Sequence, residues 1–192
     1  MSSFGFKGFG KIPRGNPLLV TITEKINGTN ACVVCGNNGV VLVQSRKRII
    51  TTEDDNFGFA AWVEENKEDL AGLGAGYSYG EWAGPGIQKN PHNLDEKTFF
   101  LFNVSRWADE QPDFLPNLSK WPDARPACCS VVPVLFQGEL TPGQIDDILH
   151  ELKQNAGDGV TPEGIIIYHH LTRSYTKHTI ISPDGKWKEA KC

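Results

Sequence analysis

No stretch of the chain approaches the ~20 consecutive apolar residues of a membrane-spanning helix, and its opening, MSSFGFKGFG, lacks the apolar core of a secretion signal. A soluble, intracellular and cytoplasmic protein without membrane contacts is therefore expected. Positive charge is not in excess either: 19 Lys and Arg stand against 23 Asp and Glu, a net charge of −4. That balance excludes a protein that coats nucleic acid through bulk electrostatics. It leaves room for a local basic patch, of which Gln44-Ser45-Arg46-Lys47-Arg48 is the densest. Internal repeats, low-complexity tracts and interdomain linkers are also missing, so residues 1–192 are expected to form one domain. The P-loop pattern GxxxxGK[ST] is absent, which excludes phosphate binding by that device.

Cysteine is present without the pattern of a framework. Cys32, Cys35, Cys128, Cys129 and Cys192 are an odd number with two adjacent, which suits reduced thiols. Cys32-Val-Val-Cys35 has the spacing of half a zinc site, but no second CxxC completes it, and in a strand residues three apart face opposite sides. Ordinary buried thiols are the expectation. His169, His170 and His178 likewise lack the spaced partners of a metal site.

Strand signals are plentiful. PLLVTITEK, NACVVC and GVVLVQS are β-branched runs separated by Asn27-Gly28 and Asn38-Gly39, which predicts antiparallel strands joined by tight turns. An amphipathic helix is expected from Asn56 to about Leu73, ending at glycines. GYSYGEWAGPG reads as a strand breaking into a glycine-rich loop, and TFFLFNVSRW as a strand. Thr141-Pro142 is expected to cap a helix, with proline at its tolerated first position. EGIIIYHH and the segment from Arg173 to Ile181 complete the strands, followed by a turn at Ser182-Pro183-Asp184-Gly185. Many antiparallel strands with few helices define an α+β domain.

Within this frame Lys25 is out of place, a charged residue closing an apolar strand beside a turn. A lysine that attacks as a nucleophile must lose its proton, through desolvation or nearby positive charge. A strand end supplies partial burial, Gly28 would let a phosphate approach the backbone, and Glu24 and Asn30 offer polar groups to a ligand. KxxG alone is more often the pattern of a snorkelling surface lysine before a turn.

The stretches EKINGTN, SRKR, YGEWAG, FLFNV and EGIIIY occur in that order. Together they resemble the ordered motifs of the covalent nucleotidyltransferases, the superfamily of DNA ligases, RNA ligases and messenger RNA capping enzymes. The nearest likeness is to ATP-dependent RNA ligases of the bacteriophage nick-sealing type. The resemblance implies an antiparallel-sheet adenylation domain with flanking helices, ATP and Mg2+ or Mn2+ as cofactors, and RNA or DNA ends or nicks as partners. It implies that Lys25 attacks the α-phosphate of ATP to form a lysyl-AMP, which is passed to a 5′-phosphate end and displaced by a 3′-OH. Glu24 would lie near the adenine, Asn30 near the phosphate or ribose, and Arg46 against the nucleotide or the incoming 5′-phosphate, with Arg48 as a substitute. Phe102 would stack on adenine, Glu81 would lie near ribose and metal, Glu163 would bind the metal, and Lys177 would neutralise the α-phosphate.

The match has departures. Asn27 replaces the aspartate of KxDG, and Tyr175 stands where many members carry the first lysine of Lys-x-Lys, which leaves the register of Lys177 open. With few residues after Lys177, no oligonucleotide-binding-fold domain is expected, and nucleic-acid binding should be weak and salt-sensitive. Alternatives are a DNA ligase, a 5′-end adenylyltransferase, or a silent nucleotide- or nucleic-acid-binding module. The oligomeric state is left open, with a monomer favoured.

Overall fold

A computed structural model of the chain describes residues 18–108 and 125–180. The turn expected at Ser182–Gly185, the end of the last strand at Ile181 and Cys192 lie outside them. The described chain carries β1 (Leu19–Glu24), β2 (Thr29–Gly36), β3 (Gly39–Ser45) and β4 (Ile49–Ile50), then helices α1 (Phe59–Glu65) and α2 (Lys67–Leu70). These are followed by β5 (Gly76–Ala83), β6 (Thr98–Leu101), a single turn α3 (Val104–Trp107), β7 (Cys129–Val131) and β8 (Val134–Glu139). Helix α4 (Gln144–Gln154), β9 (Gly164–His169) and β10 (Ser174–Thr179) complete the order.

The strands form two sheets. One runs β10-β9-β1-β8, all antiparallel; the other runs β4-β3-β2-β5-β6-β7, antiparallel except for β6 and β7. The α+β class read from the sequence is therefore observed. Alternation along each strand gives each sheet one core face and one open face. Val20, Ile22, Ile165 and Ile167 bury the core face of the smaller sheet against α4 through Ile148, Leu149 and Leu152. The larger sheet packs Val33, Trp82, Phe99 and Leu101 against Phe59 and Val63 of α1 and Leu70 of α2. Each fully buried side chain of this kind contributes roughly 1.5–3 kcal/mol relative to exposure.

Several local expectations are corrected. β1 and β2 are not a hairpin: they belong to different sheets, and residues 25–28 cross between them. The Lys25 N–H bonds the Gly164 carbonyl at 2.8 Å, holding the end of β1 to the smaller sheet. The β2–β3 hairpin expected at Asn38-Gly39 does form. The helix expected from Asn56 to Leu73 is realised in pieces. Asp55 accepts from the N–H groups of Ala60 and Ala61, so α1 starts late. Asn66, at φ −108°, gives its side-chain amide to the Trp62 carbonyl, an alternative to the helical ladder that breaks α1 from α2. TFFLFNVSRW is strand only to Leu101; it then turns into α3, which buries Trp107. Thr141 lies outside α4, whose N-cap is Gly143 in the left-handed region, so Pro142 is not its first residue. β8, not anticipated as a strand, is the partner of β1.

Cys32 and Cys35 are buried, with Cys35 in the core of the larger sheet. Burial pushes the Cys32 thiol up to about 11, the range of an inert thiol. No helix among the described residues is long and apolar enough to cross a membrane.

Candidate active site

The open faces of the two sheets enclose a cleft of about 960 Å³. From the smaller sheet come Thr21, Thr23 and Lys25, Ile166 and Tyr168, and Tyr175 and Lys177, each set two residues apart as one strand face requires. From the larger sheet come Asn30, Arg46, Tyr79 and Glu81, with Phe102 just beyond β6. Glu24, Lys25, Asn30, Arg46, Glu81, Phe102 and Lys177 thus all line one cavity, although the chain separates them widely. Glu163 stands at the head of β9 and reaches Lys25.

Lys25 Nζ donates to Glu163 Oε2 at 2.5 Å, with both side chains 22% exposed. Facing this pair, Glu81 accepts from Asn30 Nδ2 at 2.7 Å across paired positions of β2 and β5. Burial holds the Glu81 carboxyl above the ordinary glutamate value, while the Asn30 amide and the charge of Lys25 pull the other way and Glu163 adds to the rise. A buried acid that is costly to ionise is a natural partner for a cation. No group of three or more His, Cys, Asp or Glu able to hold a metal occurs among the described residues. Glu81 and Glu163 still suit a hard divalent cation, which can be held by one or two carboxylates plus substrate phosphates.

Two glycines are required by close approach. A Cβ on Gly28 would lie 2.3 Å from the Trp82 carbonyl oxygen, so the glycine is required by contact with β5, and it also lines the cleft. Gly164, at φ +146°, has the His178 carbonyl 2.1 Å from where its Cβ would stand. Glycine at both positions lets backbone segments from the two sheets converge on Lys25.

The basic cluster divides by direction. Arg46 lines the cleft, whereas Arg48 is not among the lining residues and donates to the Asp54 carboxylate at 2.6 Å and the Asp54 carbonyl at 2.9 Å. Lys177 pairs with Ile166 in the β10–β9 register and faces the cleft with Tyr175. Trp82 and Trp107 are buried core residues. His169 bonds Thr176, and His170 bonds the buried Thr21 at 2.9 Å while lining the cleft.

His92 was not anticipated. Its Nε2 accepts the Asn27 N–H at 3.0 Å, which leaves Nδ1 to carry the proton of the neutral ring, 3.4 Å from Glu24 Oε1. Burial lowers the His92 ring below its ordinary value and raises the Glu24 carboxyl. The loop from Gly84 to Lys97 carries no periodicity that aims a side chain, so only tertiary contact could reveal this one.

Fold and cleft define a class: an α+β protein whose two antiparallel sheets converge on a lysine bracketed by two glutamates and flanked by Arg46 and Lys177. The model of the RNA ligase family matches residues 19–181. The chain belongs to the RNA ligase family. Among solved structures it is similar to a mutant Naegleria gruberi RNA ligase without ligand, at 21% identity and TM-score 0.57, covering 85% of this chain and 50% of that one. A mutant of the same ligase with ATP and Mn (20%, TM-score 0.57) and another with AMP and Mn (20%, TM-score 0.56) are covered equally. This chain thus spans about half the length of those proteins. No curated protein matches the sequence.

Proposed function

We propose that the chain is an ATP-dependent RNA ligase acting through a lysyl-AMP intermediate on polynucleotide ends or nicks. The observation that carries the reading is Lys25 Nζ, in the cleft, bonded to Glu163 and facing Glu81. Membership of the RNA ligase family and the ATP, AMP and Mn of the similar structures support it.

In the first step Nζ attacks the α-phosphorus in line, a P–N bond forms, the bond to the β-phosphate oxygen breaks, and pyrophosphate leaves. The reaction asks mainly for positioning and for positive charge around the equatorial oxygens. Arg46 and Lys177 supply that charge, and Phe102 and Ile166 offer apolar walls to the base. Glu163 holds the ammonium, which loses one proton to solvent to become the attacking amine and a second once the P–N bond has formed. Glu163 and Glu81 would hold a divalent cation, which would supply further neutralisation of the phosphates. The 5′-phosphate of a polynucleotide then displaces Nζ, and a 3′-OH attacks the activated phosphate with release of AMP.

The test is incubation with α-labelled ATP, α-labelled GTP and magnesium, after pyrophosphate treatment to clear bound AMP, followed by denaturing electrophoresis. An acid-labile adduct from ATP that Lys25→Ala loses is the expected result; no adduct from wild type overturns the proposal.

A further inference from the structure

The outer half of the cleft carries tyrosines that the lysine chemistry does not use. Tyr77, Tyr79 and Glu81 share one face of β5, so two tyrosines lead outward in line from the buried carboxylate. Their rings are 6.0 Å apart and 14° from parallel, and the residues are 62% and 54% exposed. Phe102, 43% exposed, stands beside Tyr79, whose carbonyl accepts its N–H at 3.0 Å. Across the cleft Tyr175, 71% exposed, packs 4.8 Å from its register partner Tyr168. Aromatic rings aligned in water along a cleft wall contribute nothing to a core, and such patches mark binding surfaces.

Charge in the same cleft narrows the occupant. Arg46 and Lys177 line it without a hydrogen-bond or ion-pair partner among the described residues. Flat apolar faces beside unpaired cations match a chain that alternates bases and phosphates. Aromatic faces can stack only on bases whose own faces are free, which is the condition of a single strand and not of a duplex interior. A net charge of −4 over the whole chain adds no general grip on duplex.

We propose that Tyr77 and Tyr79 form a stacking shelf for unpaired bases of the polynucleotide being joined, so that the protein takes single-stranded ends in preference to nicks in a continuous duplex. This rests on the ligase reading for the nature of the substrate.

The experiment measures fluorescence anisotropy with a labelled 5′-phosphorylated single-stranded RNA 12-mer, and with the same RNA as one strand of a nicked duplex. Wild type is compared with the double variants Tyr77→Leu/Tyr79→Leu and Tyr77→Trp/Tyr79→Trp. Wild type should bind the single strand more tightly, the leucine pair should weaken that binding roughly tenfold or more, and the tryptophan pair should restore it. Leucine keeps apolar bulk on the strand, so restoration by tryptophan alone separates stacking from general packing. Should the double leucine variant not fold, Tyr77→Leu at the more exposed position carries the same test. Tighter binding of the nicked duplex by wild type, or single-strand binding by the leucine variant within twofold of wild type, overturns the proposal. Lysyl-AMP formation needs no polynucleotide, so its absence in wild type counts against the ligase reading and leaves the shelf to be judged by binding.

Discussion

Lys25 and Glu163 are 138 positions apart in the chain and bonded at 2.5 Å in the cleft. The pair joins the end of β1 to the head of β9, next to the backbone bond from Lys25 N–H to the Gly164 carbonyl. Because both side chains are partly exposed, attraction and desolvation nearly offset in stability. Glu163→Gln should therefore leave thermal unfolding almost unchanged while lowering the rate of lysyl-AMP formation by roughly 100-fold. Equal loss in both measurements would make the pair structural.

Glu81 predicts a pH dependence. Burial raises its carboxyl in the folded protein, so the folded state binds this proton more readily than the unfolded chain. The stability it contributes is fully present below the ordinary glutamate value and is lost as pH rises through the folded value. Glu81→Gln, whose side-chain carbonyl can still accept from Asn30, should unfold at higher temperature than wild type at pH 7. The difference should close as the pH falls below the ordinary glutamate value; scanning calorimetry across that range reads it.

Arg46 and Arg48 separate by their partners. Arg46→Ala removes a cation from the cleft and should slow lysyl-AMP formation or its transfer to a 5′-phosphate by roughly 100-fold. Arg48→Ala removes an exposed pair with Asp54 and should cost at most about 1 kcal/mol of stability, with adduct formation within about twofold of wild type. Single-turnover rates and denaturant midpoints for the two variants decide the assignment.

Gly28→Ala forces a methyl against the Trp82 carbonyl, a backbone atom that cannot turn aside. Either β5 or the crossover must shift, at a cost of about 1–3 kcal/mol. The adduct yield should fall with it, because Lys25 and Asn30 flank that crossover. A wild-type denaturant midpoint for this variant would rule out the close approach.

His92→Ala leaves the Asn27 N–H and the Glu24 carboxylate without their shared partner, at a cost of about 1–3 kcal/mol for the unpaired donor. His92→Gln, which can accept the N–H, should recover part of the stability and of the affinity for ATP. Calorimetric titration of ATP into the Lys25→Ala background reads the binding without turnover.

The sequence by itself determined the local facts. β-branched runs and Asn-Gly turns specify strands, and short motifs in order point to the side chains that line the cleft, because both are written in neighbouring residues. Only the tertiary structure decided the rest. That β1 and β2 part into different sheets depends on β8 and β9 pairing with β1 from more than a hundred positions away. Whether Arg46 or Arg48 faces the cleft depends on Asp54, the burial of Trp82 depends on Phe59 and Phe99, and the place of His92 depends on where its loop lands. The Arg48–Asp54 pair spans only six positions, but the others join segments farther apart, and their energies arise only once the chain has folded.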